Sequence, residues 1–285
     1  MKNINWVSSY PKSGNTMMRL FLAAYFFTED GVIKDLKIAN AIRKFNAKSV
    51  FDKLKINFDS QYLKHHPYEI SKHFLPLQKI LFELYPNNKF FFKTHNIYSK
   101  EHMSFLTNAH FTQSVIYIVR DPRSVLLSQI HHFNLKSQKE SLAYLTGTDR
   151  YSIETETSMP EIISSWKQHY IAWRDFIHQE NVGMIVKFED LVNKPAIYFK
   201  DVITFLSQIH NFKLDEEKLS NAVNSVGFSN LNKIENKDGF DEKTSKNENF
   251  FRKGKTDEWL DELDPKIKSN LENKLQEEMT QLRYL

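Results

Sequence analysis

Cysteine is absent from all 285 residues. This removes thiol nucleophiles, cysteine-held zinc and disulfides together. Thiols then leave the redox compartment unconstrained, and the lack of disulfides favours the cytoplasm. Long apolar runs are missing too. The longest near the N-terminus, Met17 to Phe27, has 11 residues and carries Arg19. It is too short to span a bilayer, and neither a signal peptide nor a transmembrane helix is expected. No Pro/Gly/Ser-rich linker, internal repeat or low-complexity tract divides the chain. Excess charge is small, a formal +4, which argues against a surface basic throughout and against a nucleic-acid partner. Arginine is rare, 8 of the 39 basic residues. The hydrophobic fraction of 41% is enough to bury a sizeable core without covalent staples. One domain over residues 1–285 is the expectation.

The most informative stretch begins with the apolar run INWVSSY, passes through Tyr10-Pro11-Lys12-Ser13-Gly14-Asn15-Thr16 and continues into MMRLFLAAYFF. It reads as strand, phosphate loop and helix. Backbone N–H groups at a helix start lack intrahelical partners and sit at the positive end of the dipole, so a loop placed there collects an oxyanion. Lys12 adds a mobile charge and Thr16 a hydroxyl. The lysine precedes the single glycine, unlike the GxxxxGK[ST] order of nucleoside triphosphatases. Three further segments carry chemistry. Phe90 to Thr94 is an apolar strand whose polar end delivers Lys93 and His95 where open α/β sheets bind ligands. Val115 to Val119 leads into Arg120-Asp121-Pro122-Arg123, a turn and a helix start, with Ser124 and Ser128 four apart on one helix face. Phe251-Arg252-Lys253-Gly254 lies late in a polar loop. The scarce arginines Arg120, Arg123 and Arg252 fall in these segments, and a planar guanidinium suits phosphate geometry.

These four motifs, in this order, resemble the sulfotransferases that use 3′-phosphoadenosine 5′-phosphosulfate as sulfuryl donor, of the cytosolic type and with a bacterial-like pattern. The resemblance runs from Ser8 to about Trp259. It implies a P-loop-nucleotidase-like α/β fold and a donor whose product is 3′-phosphoadenosine 5′-phosphate, with no metal required. Under it, Lys12, Ser13, Gly14, Asn15 and Thr16 hold the 5′-phosphosulfate. Arg120 and Ser128 hold the 3′-phosphate, and Arg252, Lys253 and Gly254 complete that site. Phe228 stacks on adenine; the length of the late polar loop separately suggests that Phe251 and Arg252 fold it over the donor. Lys12 neutralises the leaving oxygen, Lys93 assists the transferring group, His95 deprotonates the acceptor, and Ser128 restrains Lys12 until the acceptor binds. Two positions depart from the family pattern. Met17 stands where tryptophan is usual, and Phe188 replaces the tyrosine of a Tyr-Glu-Asp segment. Both changes weaken expected donor affinity before they touch the chemistry.

A coarse pass places strands at 3–9, 90–94, 114–119 and 183–188. Helices are placed at 15–27, 122–134, 160–179, 195–208 and 265–281. Alternating strands and helices argue for a central parallel sheet flanked by helices, and the continuous apolar strands argue that both its faces are covered. Segments 35–89 and 135–159 are the expected acceptor pocket, and 235–258 a lid over the donor. Trp166 and Trp173 are read as core. Histidine near neutral pH suits general base catalysis. Alternation along the strand directs Lys93 and His95 to the same side. No second histidine or carboxylate stands at ligand spacing from His95, so no metal site is expected there. The acceptor is expected to be a small molecule, lipid or carbohydrate presenting a hydroxyl or amine, and the oligomeric state is open. A magnesium-dependent P-loop kinase and a non-catalytic nucleotide binder are the alternatives. The first lacks Walker order and an evident metal-holding acid. Joint retention of Lys12, Lys93, His95 and Ser128 weighs against the second.

Overall fold

The computed structural model describes residues 2–99, 104–242, 249–251 and 254–285. The chain divides into two compact units. One comprises Met1–Tyr10, Arg43–Tyr117 and Thr146–Ile185, the other Pro11–Ile42, Ile118–Leu145 and Val186–Leu285.

The first unit is built on a sheet. Strands β1 (Ile4–Ser9), β2 (Arg43–Lys44), β3 (Phe90–Thr94), β4 (Thr112–Val119) and β7 (Gly183–Lys187) lie in the order β2-β3-β1-β4-β7. The last two residues of β4 and of β7 belong to the second unit. β1 is buried along its whole length, as a strand covered on both faces should be. It runs parallel to β3 with Ile4 opposite Phe90 and Ser8 opposite Thr94, and β2 runs parallel to β3 on the other side. Polar side chains inside this layer find partners. Trp6 Nε1 donates to Thr112 Oγ1 at 3.2 Å, and Ser114 Oγ donates to Asn5 Oδ1 at 2.6 Å. Beside β1 and β3, Phe45 packs on Trp6 at 5.0 Å between ring centroids, on Phe92 at 5.5 Å and on Phe74 at 5.8 Å. Phe45, Phe51 and Phe74, from the stretch read as acceptor pocket, are thus core residues.

A two-stranded antiparallel ribbon, β5 (Tyr151–Ser152) with β6 (Glu161–Ile162), precedes the helix Trp166–Glu180. The expected helix at 160–179 therefore begins six residues late. Ser164 has a φ of 63° and Ser165 caps the helix, its side chain accepting from the Gln168 N–H. The apolar spacing continues backwards through Ile162 and Ile163, but Ile162 belongs to a strand and Ile163 to the connection that follows it. Trp166 and Trp173 are buried, as expected of core residues.

The second unit is helical. Helix Asn15–Phe27 buries ten of its residues, and its Phe21 meets Phe199 of helix Pro195–His210 at 4.1 Å. Pro122–Phe133 starts where expected, with Asp121 accepting from the Arg123 N–H. Helices Glu216–Ser225 and Phe228–Asp238 were not anticipated, and the second of them occupies the first residues of the supposed lid. The C-terminal helix is two, Pro265–Lys274 and Gln276–Gln281, broken at Leu275. Phe188 ends no strand but opens the short helix Phe188–Asn193. Among the described residues, no helix is long and apolar enough to cross a membrane.

Candidate functional site

In the second unit the loop Pro11–Gly14 carries the chain into the helix Asn15–Phe27. Two of its residues have left-handed backbones, Lys12 at φ 69° and Gly14 at φ 98°. Gly14 is required twice over. Its φ suits a residue without a side chain, and a Cβ there would lie 2.3 Å from Cδ2 of Phe188. The helix it opens has no acidic residue in its first turn and no side-chain cap, which leaves a positive helix end for an anion. The carboxylate that meets it is Glu242. Thr16 Oγ1 donates to Glu242 Oε2 at 2.8 Å, and buried Arg19 pairs with Oε1 at 2.6 Å while donating to Ala39 O at 2.9 Å.

Lys12 is half-buried, with its Nζ 4.8 Å from the centroid of the Phe250 ring. Burial first, then the Arg120 charge, lower its pKa to about 8, and Glu242 opposes them. Arg120 Nη1 donates to Lys12 O at 3.0 Å, and its guanidinium lies 4.5 Å from the centroid of the Phe188 ring. A cavity of 110 Å³ opens beside it, with Arg120, Ser124, Ser128, Phe188, Phe228 and Gly254 in its lining. That is the volume of about four waters, the scale of one phosphate group. Ser124 Oγ donates across the wall to Thr256 O at 3.1 Å. Arg120 Nε and Ser13 Oγ are buried with no hydrogen-bond partner among the described residues. Buried polar groups are seldom left so, and donors in this state fit an anionic ligand.

The aromatic wall is continuous. Phe228 stands edge-on to Phe188 at 6.5 Å and to Phe251 at 6.3 Å. Gly254, at φ 62°, allows close approach, since a Cβ there would lie 2.5 Å from the Phe228 ring. The Glu235 carboxylate accepts the N–H groups of Phe250 and Phe251 at 2.7 and 3.0 Å. Met17 and Asn15 are buried in the first turns of their helix. Arg252 and Lys253 lie outside the described residues, as do 243–248 of the expected lid. Arg123 does not serve an anion. It is paired with Asp121 and Glu272 at 2.7 Å each, donates to Tyr284 O at 2.8 Å and stacks 3.5 Å from the Trp259 centroid. The sequence placed it beside Arg120, but the helix start turns it toward these carboxylates.

In the first unit, Lys93 and His95 occur at the end of β3, held from several directions. The Phe45 N–H donates to Lys93 O at 2.9 Å, and the His95 N–H donates to Glu161 Oε1 at 2.7 Å. Trp173 Nε1 donates to Asn96 O at 3.0 Å. His95 Nδ1 lies 2.7 Å from Ser9 O. A carbonyl only accepts, so Nδ1 carries the proton and Nε2 is left as the basic nitrogen. Burial, then the charge of Lys93, hold the imidazole pKa well below its ordinary value, with His169 and Lys44 adding to the effect and the Ser9 bond opposing it. Neighbouring His169 is buried and brought down to about 3. Its Nε2–H donates to His95 O at 3.2 Å while Nδ1 accepts from Tyr117 Oη at 2.9 Å. Sequence reading did not find Glu161, His169 or Glu242. Only Glu161 carried a hint, an acid set within the apolar run Pro160-Glu161-Ile162-Ile163, where charge is costly unless paired. Among the described residues, no group of three His, Asp or Glu side chains is placed to hold a metal.

The model of the sulfotransferase domain matches residues 4–283. Cytosolic sulfotransferase 5 of Arabidopsis thaliana is 25% identical over 173 residues, covering 59% of this chain and 52% of the relative. Cytosolic sulfotransferase 15 of the same plant is 27% identical over 158 residues, covering 53% and 42%. The matches thus span about half the length of these relatives. Mouse sulfotransferase SULT7A1, solved with PAP, superposes with a TM-score of 0.60 at 17% identity, over 98% of this chain and 84% of that one. Retinol dehydratase, solved with androsterone and the inactive cofactor PAP, gives 0.61 at 18% identity, over 97% and 80%. At these identities the superpositions speak for the fold.

Proposed function

This chain belongs to the sulfotransferase domain family, and from that premise we propose that it transfers the sulfuryl group of 3′-phosphoadenosine 5′-phosphosulfate to a hydroxyl or amine of a small-molecule, lipid or carbohydrate acceptor. The observation that carries the proposal is the Arg120 cavity. It offers a guanidinium with an unpaired Nε, the Ser128 hydroxyl and an aromatic wall beside Lys12, with Lys255 and Glu258 as the other charged groups of its lining. The cavity is the size of one phosphate, which the guanidinium and hydroxyl suit, and the Phe188 and Phe228 rings in its wall offer an apolar surface to the base of a phosphorylated adenosine. The donor supplies an activated sulfuryl group on a good leaving phosphate. Lys12, charged below about pH 8, stabilises negative charge on the departing oxygen. The N–H groups from Ser13 to Thr16 hold the 5′-phosphate. Arg120 and Ser128, with Arg252, Lys253 and the Gly254 backbone, hold the 3′-phosphate. His95 takes the acceptor proton on Nε2, its low pKa keeping the ring neutral and receptive at physiological pH. Lys93 stabilises the transferring group. Transfer of this kind resembles phosphoryl transfer in needing position and charge more than covalent help. Calorimetry tests the reading. The protein binds 3′-phosphoadenosine 5′-phosphate at least tenfold more tightly than adenosine monophosphate, and equal affinities would refute the 3′-phosphate site.

A further inference from the structure

Glu161 is the acid that ties together the two residues assigned to the chemistry in the first unit. It is 6% exposed. Its two oxygens lie 3.4 and 3.2 Å from Lys93 Nζ, and Oε1 also accepts the His95 N–H at 2.7 Å. The residue is itself pinned. Its N–H donates to Ser152 Oγ at 2.9 Å, the Ile162 N–H to Asn96 Oδ1 at 2.8 Å, and the Ile97 N–H to Ile162 O at 2.7 Å. The segment 161–162 therefore runs bonded along 95–97. A buried ion pair adds little stability over apolar residues of the same shape, because desolvation offsets the attraction. Stability alone gives no reason for a charge in the run Pro160-Glu161-Ile162-Ile163.

We propose that Glu161 is a positioning residue for sulfuryl transfer: its single carboxylate fixes the Lys93 ammonium and the His95 backbone together, and balances the Lys93 charge that would otherwise act on the His95 ring. The inference rests on the roles given above to Lys93 and His95. The charged and titratable groups that act on the ring are Lys93, Lys44 and His169, and the Glu161 carboxylate lies against the His95 backbone. His169 is neutral, so the two lysines supply the positive field, and Glu161 pairs with Lys93, the stronger contributor, at 3.2 Å. Without the carboxylate, the imidazole becomes a weaker base and the ammonium loses a buried partner that helps to aim it. Both effects fall on the chemical step and not on substrate affinity.

The test is a double-mutant cycle in the whole protein with Glu161→Gln, Lys93→Met and the pair, measuring kcat, acceptor KM and binding of 3′-phosphoadenosine 5′-phosphate. Glu161→Gln lowers kcat about 10- to 100-fold, in the range of lost outer-shell partners. Acceptor KM and nucleotide affinity stay within about threefold. In the Lys93→Met background the same change costs less than about threefold, because the charge that Glu161 balances is gone. The acid limb of kcat/KM in Glu161→Gln moves to lower pH. Equal losses in the two backgrounds, or an unchanged kcat in the single variant, would overturn the proposal. If Glu161→Gln fails to fold, the double variant, which removes both buried charges, is compared with Lys93→Met. Matching kcat values support the inference and a further tenfold loss overturns it. Failure of the underlying reading looks different: the wild type then transfers no sulfuryl group, or His95→Ala retains full turnover.

Discussion

Replacing Gly14 by alanine probes the contact between the Pro11–Gly14 loop and the Phe188 ring. Gly14 has φ 98°, and a Cβ would lie 2.3 Å from Phe188 Cδ2 and 3.0 Å from Cε2. A left-handed backbone costs a residue with a Cβ roughly 1–2 kcal/mol. Forcing a methyl into a packed contact adds about 1–3 kcal/mol. Together these predict a loss of about 2–5 kcal/mol. At this chain length that lowers the melting temperature by roughly 5–20 °C. The ring cannot yield without consequence, because Arg120 stacks on it at 4.5 Å and Phe228 abuts it. Nucleotide affinity therefore falls with stability. Thermal unfolding by circular dichroism and calorimetry with 3′-phosphoadenosine 5′-phosphate measure the two effects. In Gly14→Ala/Phe188→Leu the steric part is relieved and the backbone part remains, so the double variant recovers some but not all of the stability. A Gly14→Ala protein within about 0.5 kcal/mol of wild type, with unchanged affinity, would refute the reasoning.

Arg120→Ala weakens binding of 3′-phosphoadenosine 5′-phosphate by about 10- to 150-fold, the value of a charged hydrogen bond, and calorimetry reads it. Lys12 titrates at about 8 in the folded protein against 10.5 for a free lysine, so its ammonium is present below that pH and lost above it. Nucleotide binding thus weakens as pH rises through about 8. Folding stability moves the other way, because between these values the unfolded chain holds the extra proton and the Lys12 contribution rises with pH. Glu242 raises the Lys12 value, so Glu242→Gln shifts the alkaline limb of nucleotide binding to lower pH, and an unmoved limb counts against the Glu242–Lys12 coupling. Gly254→Ala, whose Cβ would meet Phe228 at 2.5 Å, lowers nucleotide affinity in the same assay.

What could be read from the sequence was local. The strand, loop and helix around Lys12, and the cap at Asp121, are set by neighbours within a few positions, and there the structure follows the sequence reading closely. The acids that complete the sites come from far away. Glu161 is 66 residues from His95, and Glu242 is 226 from Thr16. No periodicity or motif records such a meeting, because it is made by strand order and helix packing. The start of the helix at Trp166 was misread for a related reason. Ile162 and Ile163 keep an apolar spacing, but Ile162 belongs to a strand paired with Tyr151, and Ser165 supplies the real cap. Arg123 falls in an anion-binding segment of the sequence, and only the fold reveals Asp121, Glu272 and Trp259 around it.

The most direct measurement is transfer of a radiolabelled sulfuryl group from 3′-phosphoadenosine 5′-phosphosulfate, in the presence of a metal chelator, across a panel of phenols, sterols, amines and saccharides, with wild type and His95→Ala side by side. The account predicts labelled product with at least one acceptor, undiminished by the chelator. For an alcohol of high pKa it predicts a fall in turnover of about 10²–10⁴-fold in His95→Ala, with nucleotide binding intact. Nucleotide binding without transfer to any acceptor, or full turnover on such an alcohol without the His95 imidazole, would contradict it.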